Sequence, residues 1–406
     1  MTVPNLSNQS DSQRLRSRAV SCPICADSRY FDFLTIESMP VSDGLVRRTK
    51  EEALSTPLGA ITLACCESCG YIGNRRFDPS KLVFSPEYMI SLHHSPRYRK
   101  FLEDQCDYLI DAYQLKNRTV LEIGCGQGYF LELLCRRGDL SGYGFDPAVK
   151  EYGTVQLTNS QVTLSPEDYA PRCDAIRPNL ICCRHVMQLI TDPHEFMRTL
   201  RSQLKWEPPA VVYFEIPNAS SIFRPDVVWC IMYEYRSYWS ESSLTTLFQQ
   251  TGFEVRRTAP CFVDGQYVQI EAVPSSSRRT NPVSRPEQLV EQARSFGKAY
   301  QQQVEHWGNR LADMASSHRR IAAWGSGGRA ICFFNALQLR EQIPYVVDIN
   351  PDRQECYLPW TAQKIVAPEF LKDFRPDVII VTNPTYENEI RSQVAGMGLK
   401  AEVLSL

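Results

Sequence analysis

The chain has 406 residues, of which 43% are hydrophobic and 22% are charged, and its formal net charge is −2. This length predicts two or three domains, and the scattered basic residues argue against a polyanionic partner such as nucleic acid. No apolar run is long enough to span a bilayer, and the first twenty residues are polar instead of forming a hydrophobic signal segment. We therefore expect a soluble, cytoplasmic protein with a disordered tail over residues 1–20. Its 15 cysteines should be reduced, so clustered cysteines indicate a metal site and not disulfides.

Residues 21–84 contain two C-x-x-C pairs. Cys22 and Cys25 form the first pair, and Cys66 and Cys69 form the second. This spacing is typical of a tetrahedral thiolate site for Zn²⁺. Because the segment between the pairs has few core residues, the metal would supply much of the folding energy of this zinc-binding domain. The segment has no basic face, so we expect a structural role or a substrate lid.

Residues 85–113 are predicted to form a helical connector. Four side chains that can carry protons or stack on a ligand cluster at its start: Tyr88, His93, His94 and Tyr98. They can form a polar helix face, or the connector can cross the mouth of a cofactor site, and both interpretations stay open.

Residues 114–275 begin with an apolar run that ends in a glycine-rich turn, Glu122-Ile123-Gly124-Cys125-Gly126-Gln127-Gly128. A second apolar run, Gly142–Phe145, ends at Asp146, where such β-loop-α-β units hold a ribose diol. A dinucleotide fingerprint reads G-x-G-x-x-G and binds a pyrophosphate at the helix N-terminus. Here the spacing is G-x-G-x-G, and Glu122 would repel a pyrophosphate but suits a cationic ligand with an ammonium group. The pattern resembles motif I of the class I S-adenosylmethionine-dependent methyltransferases.

That resemblance implies a cofactor site made by Glu122, Gly124, Gly126, Gly128 and Asp146, with the acid Glu122 near the ammonium group and Asp146 on the ribose. Two further buried strands are predicted, Leu180–Val186 and Val211–Asn218, and Gly252–Val255 and Val268–Ala272 should close the sheet. Ligands of open α/β sheets lie at the carboxyl ends of the strands, which places His185 and Glu215 at the same crevice. We predict that His185 contacts the cofactor, and a purely structural histidine is about as consistent with the sequence.

Residues 276–406 are predicted to form a second, smaller Rossmann-like unit. A Ser/Arg/Pro-rich linker is followed by a long helix, about residues 287–317, and then by a strand that leads into the glycine loop Gly325–Gly328. Further strands are expected at Tyr345–Asp348 and Val378–Val381. The glycine loop lacks the Lys and Thr of a P-loop, so the sequence leaves open whether it binds a nucleotide.

The order of these features resembles the three-domain sugar C-methyltransferases, which methylate a ring carbon of a nucleotide-linked keto-deoxysugar. The resemblance covers nearly the whole chain after Val20 and is carried by the zinc knuckles, the glycine motif and four further stretches: Ser38–Asp43, Trp324–Ala330, Val347–Pro351 and Thr382–Ile390. It implies an α/β protein with a class I methyltransferase Rossmann-like core, a small N-terminal zinc-binding domain and a C-terminal Rossmann-like α/β domain. It also implies that the zinc-binding and C-terminal domains flank a sugar nucleotide.

The chain departs from that family in the stretch that supplies the catalytic histidines. The family usually carries Tyr-His-Glu-His-Leu-Ser-Tyr-Phe-Ser, whereas this chain reads Met232-Tyr233-Glu234-Tyr235-Arg236-Ser237-Tyr238-Trp239-Ser240. Because this segment follows the fifth strand, we predict that Tyr233, Glu234, Tyr235 and Tyr238 face the methyl group. Glu234 is the favoured base, and Tyr235 is next, with Arg236 lowering its pKa. The alternative is that the tyrosines form an aromatic packing surface.

These patterns predict a C-methyltransferase that acts on an activated small molecule, either a sugar nucleotide or another enolisable intermediate of natural product biosynthesis. An O- or N-methyltransferase on the same scaffold stays open, as does a cofactor-binding protein with other chemistry. Partners other than the substrate are not expected, neither nucleic acid nor membrane, and the chain should be a monomer or a weak homo-oligomer. If the altered segment does not supply the base, His93, His94 and His185 are the next candidates.

Overall fold

The computed structural model describes residues 21–42, 44–45, 47–85, 87–88, 92–167, 173–275 and 285–406. The predicted tail, Asp43 and most of the predicted linker lie outside the described residues. Within the described ranges, no helix is long and apolar enough to cross a membrane. The described residues form three sheets, one for each part of the predicted organisation.

The N-terminal region is an antiparallel sheet with a short helix on one connection. Its strands are β1 (Tyr30–Pro40), β2 (Leu58–Cys66) and β3 (Ile72–Asn74), with helix α1 (Lys50–Leu54) between the first two and a 3-10 helix (Pro79–Lys81) after the third. A fourth strand, Ser237–Tyr238, pairs antiparallel with β3. Because that strand belongs to the altered catalytic segment, this sheet is completed by residues more than 150 positions away in the chain.

The connector is helical over a shorter range than predicted. Helix α2 (Pro96–Tyr113) begins only at Pro96, and Ser95 caps it by accepting a hydrogen bond from the Tyr98 amide at 3.3 Å. A proline at the first helical position and a serine before it are the residues that favour such a start. Tyr88, His93 and His94, which we placed in a helical connector, therefore precede the helix.

The central region is an eight-stranded, mostly parallel sheet in the order β11-β12-β9-β8-β4-β5-β7-β6. The strands are β4 (Thr119–Ile123), β5 (Ser141–Phe145), β6 (Gly153–Gln156), β7 (Gln161–Ser165), β8 (Leu180–Arg184), β9 (Val211–Pro217), β10 (Ser237–Tyr238, in the N-terminal sheet), β11 (Phe253–Cys261) and β12 (Tyr267–Pro274). The helices are α3 (Tyr129–Gly138), α4 (Cys173–Ile176), α5 (Pro193–Gln203), α6 (Ala219–Ile222) and α7 (Glu241–Gln250), and 3-10 helices cover Met187–Leu189 and Val263–Gly265.

The strand pairing brings the predicted site residues to one edge of this sheet. Strand β4 pairs in parallel with β5 on one side and with β8 on the other, and β8 pairs in parallel with β9. The carboxyl ends of these strands therefore lie side by side. The predicted strand over Leu180–Val186 ends at Arg184, so His185 is the first residue beyond it.

The C-terminal region is a parallel sheet in the order β15-β14-β13-β16-β17. It follows helix α8 (Glu287–Ser316) and comprises β13 (Ile321–Trp324), α9 (Gly328–Ala336), β14 (Tyr345–Val347), β15 (Lys364–Val366), a 3-10 helix (Pro368–Phe370), α10 (Leu371–Phe374), β16 (Val378–Val381), a second 3-10 helix (Pro384–Tyr386), α11 (Glu387–Gly396) and β17 (Glu402–Ser405). The long helix and the Rossmann-like unit are as predicted. Helix α8 also packs on the N-terminal sheet, where Phe296 contacts Phe33 edge to face at 6.3 Å.

Candidate functional site

The glycine turn after β4 is fastened to the tip of β5 by Asp146. One carboxylate oxygen of Asp146 accepts a hydrogen bond from the Gly126 amide at 2.8 Å, and the other accepts one from the Ala148 amide at 2.7 Å. Gly126 has φ +55°, and a Cβ placed on it would meet nothing within 4 Å. The turn is thus held rigidly beside open space, which is the arrangement that a ligand approaching the backbone requires.

Gly124 is required for a different reason. A Cβ on this residue would lie 2.1 Å from Cγ2 of Val186, in the loop after β8, and its φ is +71°. Any side chain here would therefore displace the loop that also carries His185. We predicted that all three glycines line the ligand, and the contacts of Gly124 show a packing requirement in addition.

Glu122 is buried beneath the turn with an oxygen left over. The residue is 2% exposed, and within the described part of the chain its Oε2 has no hydrogen-bond partner. Burial raises the pKa of Glu122 to about 7, although nearby Arg184 acts in the opposite direction. An uncompensated buried carboxylate is unfavourable, so this site fits the cationic ammonium group of S-adenosylmethionine.

His185 is held by a buried carboxylate on the neighbouring strand. Its Nε2 lies 3.1 Å from Oε1 of Glu215, and the same Glu215 oxygen accepts a hydrogen bond from Arg184 at 2.8 Å. Burial favours a neutral Glu215, but the charges and hydrogen bonds of Arg184 and His185 outweigh it and lower the pKa to about 2. Because an ionised carboxylate only accepts hydrogen bonds, a hydrogen bond at this distance requires the form of His185 with a proton on Nε2. The structure therefore brings His185 and Glu215 together, as the positions of their strands predicted.

This network continues away from the site through buried polar side chains. Tyr213 donates to the second oxygen of Glu215 at 2.9 Å, and Gln105 of helix α2 donates to Tyr213 at 2.8 Å. On the other side, Tyr98 accepts a hydrogen bond from Arg184 at 3.1 Å, and its hydroxyl lies 3.4 Å from Nε2 of His185. Helix α2 thus contributes two of the groups that fix the Arg184–Glu215–His185 arrangement.

The residues before α2 lie against the start of α3. The His93 ring stacks on Tyr129, the residue after Gly128, with ring centroids 4.0 Å apart and an interplanar angle of 10°. Burial, together with the positive charges of His94 and Arg99, lowers the pKa of His93 to about 4. The imidazole is therefore neutral at physiological pH. This contact brings the segment before α2 beside the residue that follows the glycine turn.

Two of the predicted catalytic tyrosines make packing contacts. Tyr233 stacks on Phe77 at 5.7 Å, and its hydroxyl accepts a hydrogen bond from the Asp78 amide at 3.0 Å. The hydroxyl of Tyr238 accepts one from the Met232 amide at 3.2 Å, and its ring meets Phe223 edge to face. Both tyrosines are 1% exposed. A catalytic role for them stays a prediction, and their contacts favour the alternative of a packing surface.

Glu234 and Tyr235, the other two predicted catalytic residues, make different contacts. Glu234 is 1% exposed, and its carboxylate accepts hydrogen bonds from the Tyr88 hydroxyl at 2.7 Å and from the Gly44 amide at 3.3 Å. Tyr235 is half-buried beside Tyr238, with ring centroids 5.5 Å apart. No sequence pattern could have paired Tyr88 with Glu234, because they are 146 positions apart.

Arg236, the neighbour of Tyr235 in the sequence, contacts the N-terminal sheet. It donates to the Asn74 carbonyl at 3.0 Å and lies over the Phe77 ring at 5.9 Å. These contacts give no support to the prediction that Arg236 lowers the pKa of Tyr235.

The four predicted metal ligands lie together. The sulfur atoms of Cys22, Cys25, Cys66 and Cys69 all lie within 4.8 Å of one another, with Cys22 to Cys69 at 3.6 Å and Cys25 to Cys66 at 3.5 Å. Sulfurs about 2.3 Å from a central Zn²⁺ in a tetrahedron would be about 3.8 Å apart, so the spacing fits zinc. The cluster packs beside Tyr71, which contacts Trp239, the residue after β10, at 5.1 Å.

The second glycine loop repeats the geometry of the first. The Ser326 amide donates to Asp348 at 3.0 Å, as Gly126 does to Asp146. Here, however, Arg353 donates to the hydroxyl and the carbonyl oxygen of Ser326 at 2.8 and 2.9 Å. The loop is thus already bonded to a side chain of its own domain.

Comparison with known proteins matches two parts of the chain to methyltransferase families. Residues 95–258 match the family described as a methyltransferase domain, and residues 286–401 match a C-methyltransferase C-terminal domain. The C-methyltransferase NovU of Streptomyces niveus is 23% identical over 388 residues, which cover 91% of this chain and 90% of NovU. A tRNA U34 carboxymethyltransferase of Campylobacter lari is 27% identical over 36% of this chain and 56% of its own length. A solved S-adenosylmethionine-dependent methyltransferase from Aquifex aeolicus is 20% identical and covers 49% of this chain and 99% of its own, with a TM-score of 0.34.

The two family matches divide the chain where the central and C-terminal sheets do, and the methyltransferase match supports S-adenosylmethionine as the cofactor. The chain is therefore an enzyme of the methyltransferase class, with a class I Rossmann-like methyltransferase core joined to a C-methyltransferase C-terminal domain.

Proposed function

We propose that this enzyme methylates a carbon atom of an enolisable small molecule, and that Glu234 is the base. The matched C-methyltransferase C-terminal domain and the similarity to NovU support carbon as the acceptor. The observation that carries the assignment of the base is the pairing of Glu234 with Tyr88 at 2.7 Å, in the segment where the resemblance keeps the glutamate. A nucleotide-linked keto-deoxysugar is the first substrate to test.

Methylation at carbon requires that a proton next to a carbonyl be removed. A positioned carboxylate contributes roughly 10²- to 10⁴-fold to such a step. Tyr88 and the Gly44 amide fix the orientation of the Glu234 carboxylate, which is 1% exposed. Tyr235 is the second candidate, because its half-buried ring lies in the same turn. We assign Tyr233 and Tyr238 to the support of this turn.

When bound, S-adenosylmethionine supplies an electrophilic methyl group. We propose that Glu122 would hold its ammonium group and that the turn at Gly126 would lie along it, with Asp146 on the ribose. His185 would contact the cofactor with its ring fixed by Glu215. The open space at Gly126 and the Glu122 oxygen that has no partner among the described residues support this placement.

We further propose that Cys22, Cys25, Cys66 and Cys69 bind one structural Zn²⁺. The sheet pairing supports this role, because β3 follows the second cysteine pair directly and pairs with β10. The metal would thus stabilise the strand that follows Glu234. The substrate needs no macromolecular partner, and we expect the protein to act as a monomer or weak homo-oligomer in the cytoplasm.

The proposal is tested with methyl-¹³C-labelled S-adenosylmethionine and three acceptors: a nucleotide-linked keto-deoxysugar, a β-dicarbonyl compound and a phenol. The expected product carries the label on a carbon next to a carbonyl. In deuterated water with S-adenosylhomocysteine bound, the same carbon should exchange its proton, and Glu234→Gln should abolish this exchange. Glu37→Gln is the matched control, because Glu37 forms an exposed ion pair with Arg76. Label on oxygen or nitrogen without proton exchange would instead show an O- or N-methyltransferase.

A further inference from the structure

A short segment of the C-terminal domain reaches the methyltransferase core. It comprises residues 384–389, the 3-10 helix Pro384–Tyr386 and the start of α11, and we name it the docking segment. We propose that Glu389 in this segment is a positioning residue, which caps helix α2 from the other domain and thereby holds Tyr98 against Arg184 and His185. The inference rests on the proposed location of the methyl-transfer site.

The Glu389 carboxylate completes the N-terminus of α2. Its two oxygens accept hydrogen bonds from the Ser95 hydroxyl at 3.0 and 3.1 Å, and one of them also accepts from the Arg97 amide at 3.1 Å. The first amides of a helix lack partners within the helix, and negative charge is favourable there. Glu389 supplies both an acceptor for these amides and a negative charge, although α2 is an 18-residue helix in another part of the chain.

The capped turn carries the side chain that touches the site. The Tyr98 amide donates to the Ser95 hydroxyl at 3.3 Å, so Ser95 links Glu389 directly to the turn of Tyr98. The phenol of Tyr98 is buried, and its hydroxyl accepts from Arg184 at 3.1 Å and lies 3.4 Å from Nε2 of His185. A shift of this first turn therefore changes the hydrogen bonds at His185.

The docking segment also reaches the strand that precedes the altered catalytic segment. Arg97 donates to the Thr385 carbonyl at 3.0 Å, and the Thr385 hydroxyl donates to the side chain of Gln266 at 3.2 Å. The Gln266 carbonyl accepts from the amide of Asn218, just after β9, at 3.0 Å. One segment is thus linked by hydrogen bonds to the ends of both strands, to β8 through Ser95 and Tyr98 and to β9 through Gln266.

A purely adhesive contact between domains would stabilise the chain without changing His185. The test is therefore carried out on the full-length chain with Glu389→Gln, which keeps the shape but removes the charge. Hydrogen exchange of residues 95–101 should accelerate on the order of tenfold. The imidazole resonances of His185 should shift. Glu369→Gln is the control, because Glu369 is an exposed glutamate of the same domain, and it should change neither.

Ser95→Ala removes the same link from the other side. It should reproduce the exchange and imidazole changes of Glu389→Gln, and the double variant should show less than the sum of the two, as expected for residues in contact. His185 is identified among the six histidines by the spectrum of His185→Gln. Faster exchange with unchanged His185 resonances would overturn the proposal, as would unchanged exchange. Failure of the wild type to bind S-adenosylhomocysteine would contradict the proposed function but not the role of Glu389. Hydrogen exchange and the His185 resonances are both measured without ligand.

Discussion

Replacement of Glu122 by glutamine should make the ligand-free protein more stable and the cofactor complex weaker. Glu122 is 2% exposed, its Oε2 lacks a partner among the described residues, and its pKa is raised to about 7 by burial. The carboxylate is therefore unfavourable in the empty site and favourable once an ammonium group is present. Glutamine keeps the shape and hydrogen-bonding capacity but cannot ionise.

The size and sign of the effect follow from the two pKa values. An unperturbed glutamate has a pKa of 4.5, against about 7 for Glu122 in the folded chain. At roughly 1.4 kcal/mol per pH unit, this difference amounts to about 3 kcal/mol. Because the pKa of Glu122 is higher in the folded chain than in the unfolded chain, its contribution to the free energy of unfolding is fully present below pH 4.5. This contribution is lost as the pH rises through 7. Glu122→Gln lacks this loss. The free energy of unfolding of the variant should therefore rise relative to that of the wild type by about 3 kcal/mol between pH 4.5 and pH 8.

Two measurements check the reasoning. Chemical unfolding of the wild type and Glu122→Gln across this pH range gives the difference in unfolding free energy. Calorimetry with S-adenosylhomocysteine at pH 8 should show an affinity loss on the order of tenfold to a hundredfold, the size expected for a charged hydrogen bond. At pH 5.5 the loss should shrink, because the wild-type carboxyl is then protonated before binding. Equal pH dependence of stability in both proteins would refute the burial argument, and an unchanged affinity at pH 8 would show that the ammonium group binds elsewhere.

Three further outcomes follow from the contacts. Glu215→Gln should lower the free energy of unfolding by about 3–5 kcal/mol, because it leaves Arg184 buried without its charged partner. Adding Arg184→Met to this variant should recover part of the loss, which chemical unfolding measures. Cys66→Ser should abolish stoichiometric zinc in metal analysis and accelerate hydrogen exchange in β10, whereas retained zinc would exclude this cysteine as a ligand. Tyr88→Phe should slow turnover on the order of tenfold to a hundredfold while cofactor affinity stays the same, because it removes the 2.7 Å hydrogen bond to Glu234. Wild-type turnover in this variant would contradict Glu234 as the base.

Local patterns were sufficient to predict the three sheets and the glycine turn. The C-x-x-C spacing, the glycine motif and the apolar strands are each encoded within a few consecutive residues, and the structure forms the corresponding sheets and the cysteine cluster. The start of α2 was predicted about ten residues too early. Residues 85–95 carry aromatic and histidine side chains that suggested a helix face, but the helix begins at the Ser95-Pro96 cap.

The partners of the site residues could not be predicted, because they come from distant parts of the chain. Glu234 meets Tyr88 across 146 positions, and Ser95 meets Glu389 across 294. The same reason explains Arg236, whose proximity to Tyr235 in the sequence suggested an electrostatic role. Its guanidinium instead bonds to Asn74, since β10 pairs with β3 and carries Arg236 toward the N-terminal sheet.

The replacement of histidines by tyrosines has a structural consequence that the sequence comparison alone does not reveal. Tyr233 fills the space above Gly59, where a Cβ would lie 2.0 Å from its ring, and bonds through its hydroxyl to the Asp78 amide. Its side chain is thus part of the contact between the N-terminal sheet and the segment after β9. A smaller imidazole at this position would leave part of that space unfilled. Tyr233 therefore fastens the turn that carries Glu234, the carboxylate that we propose as the proton acceptor.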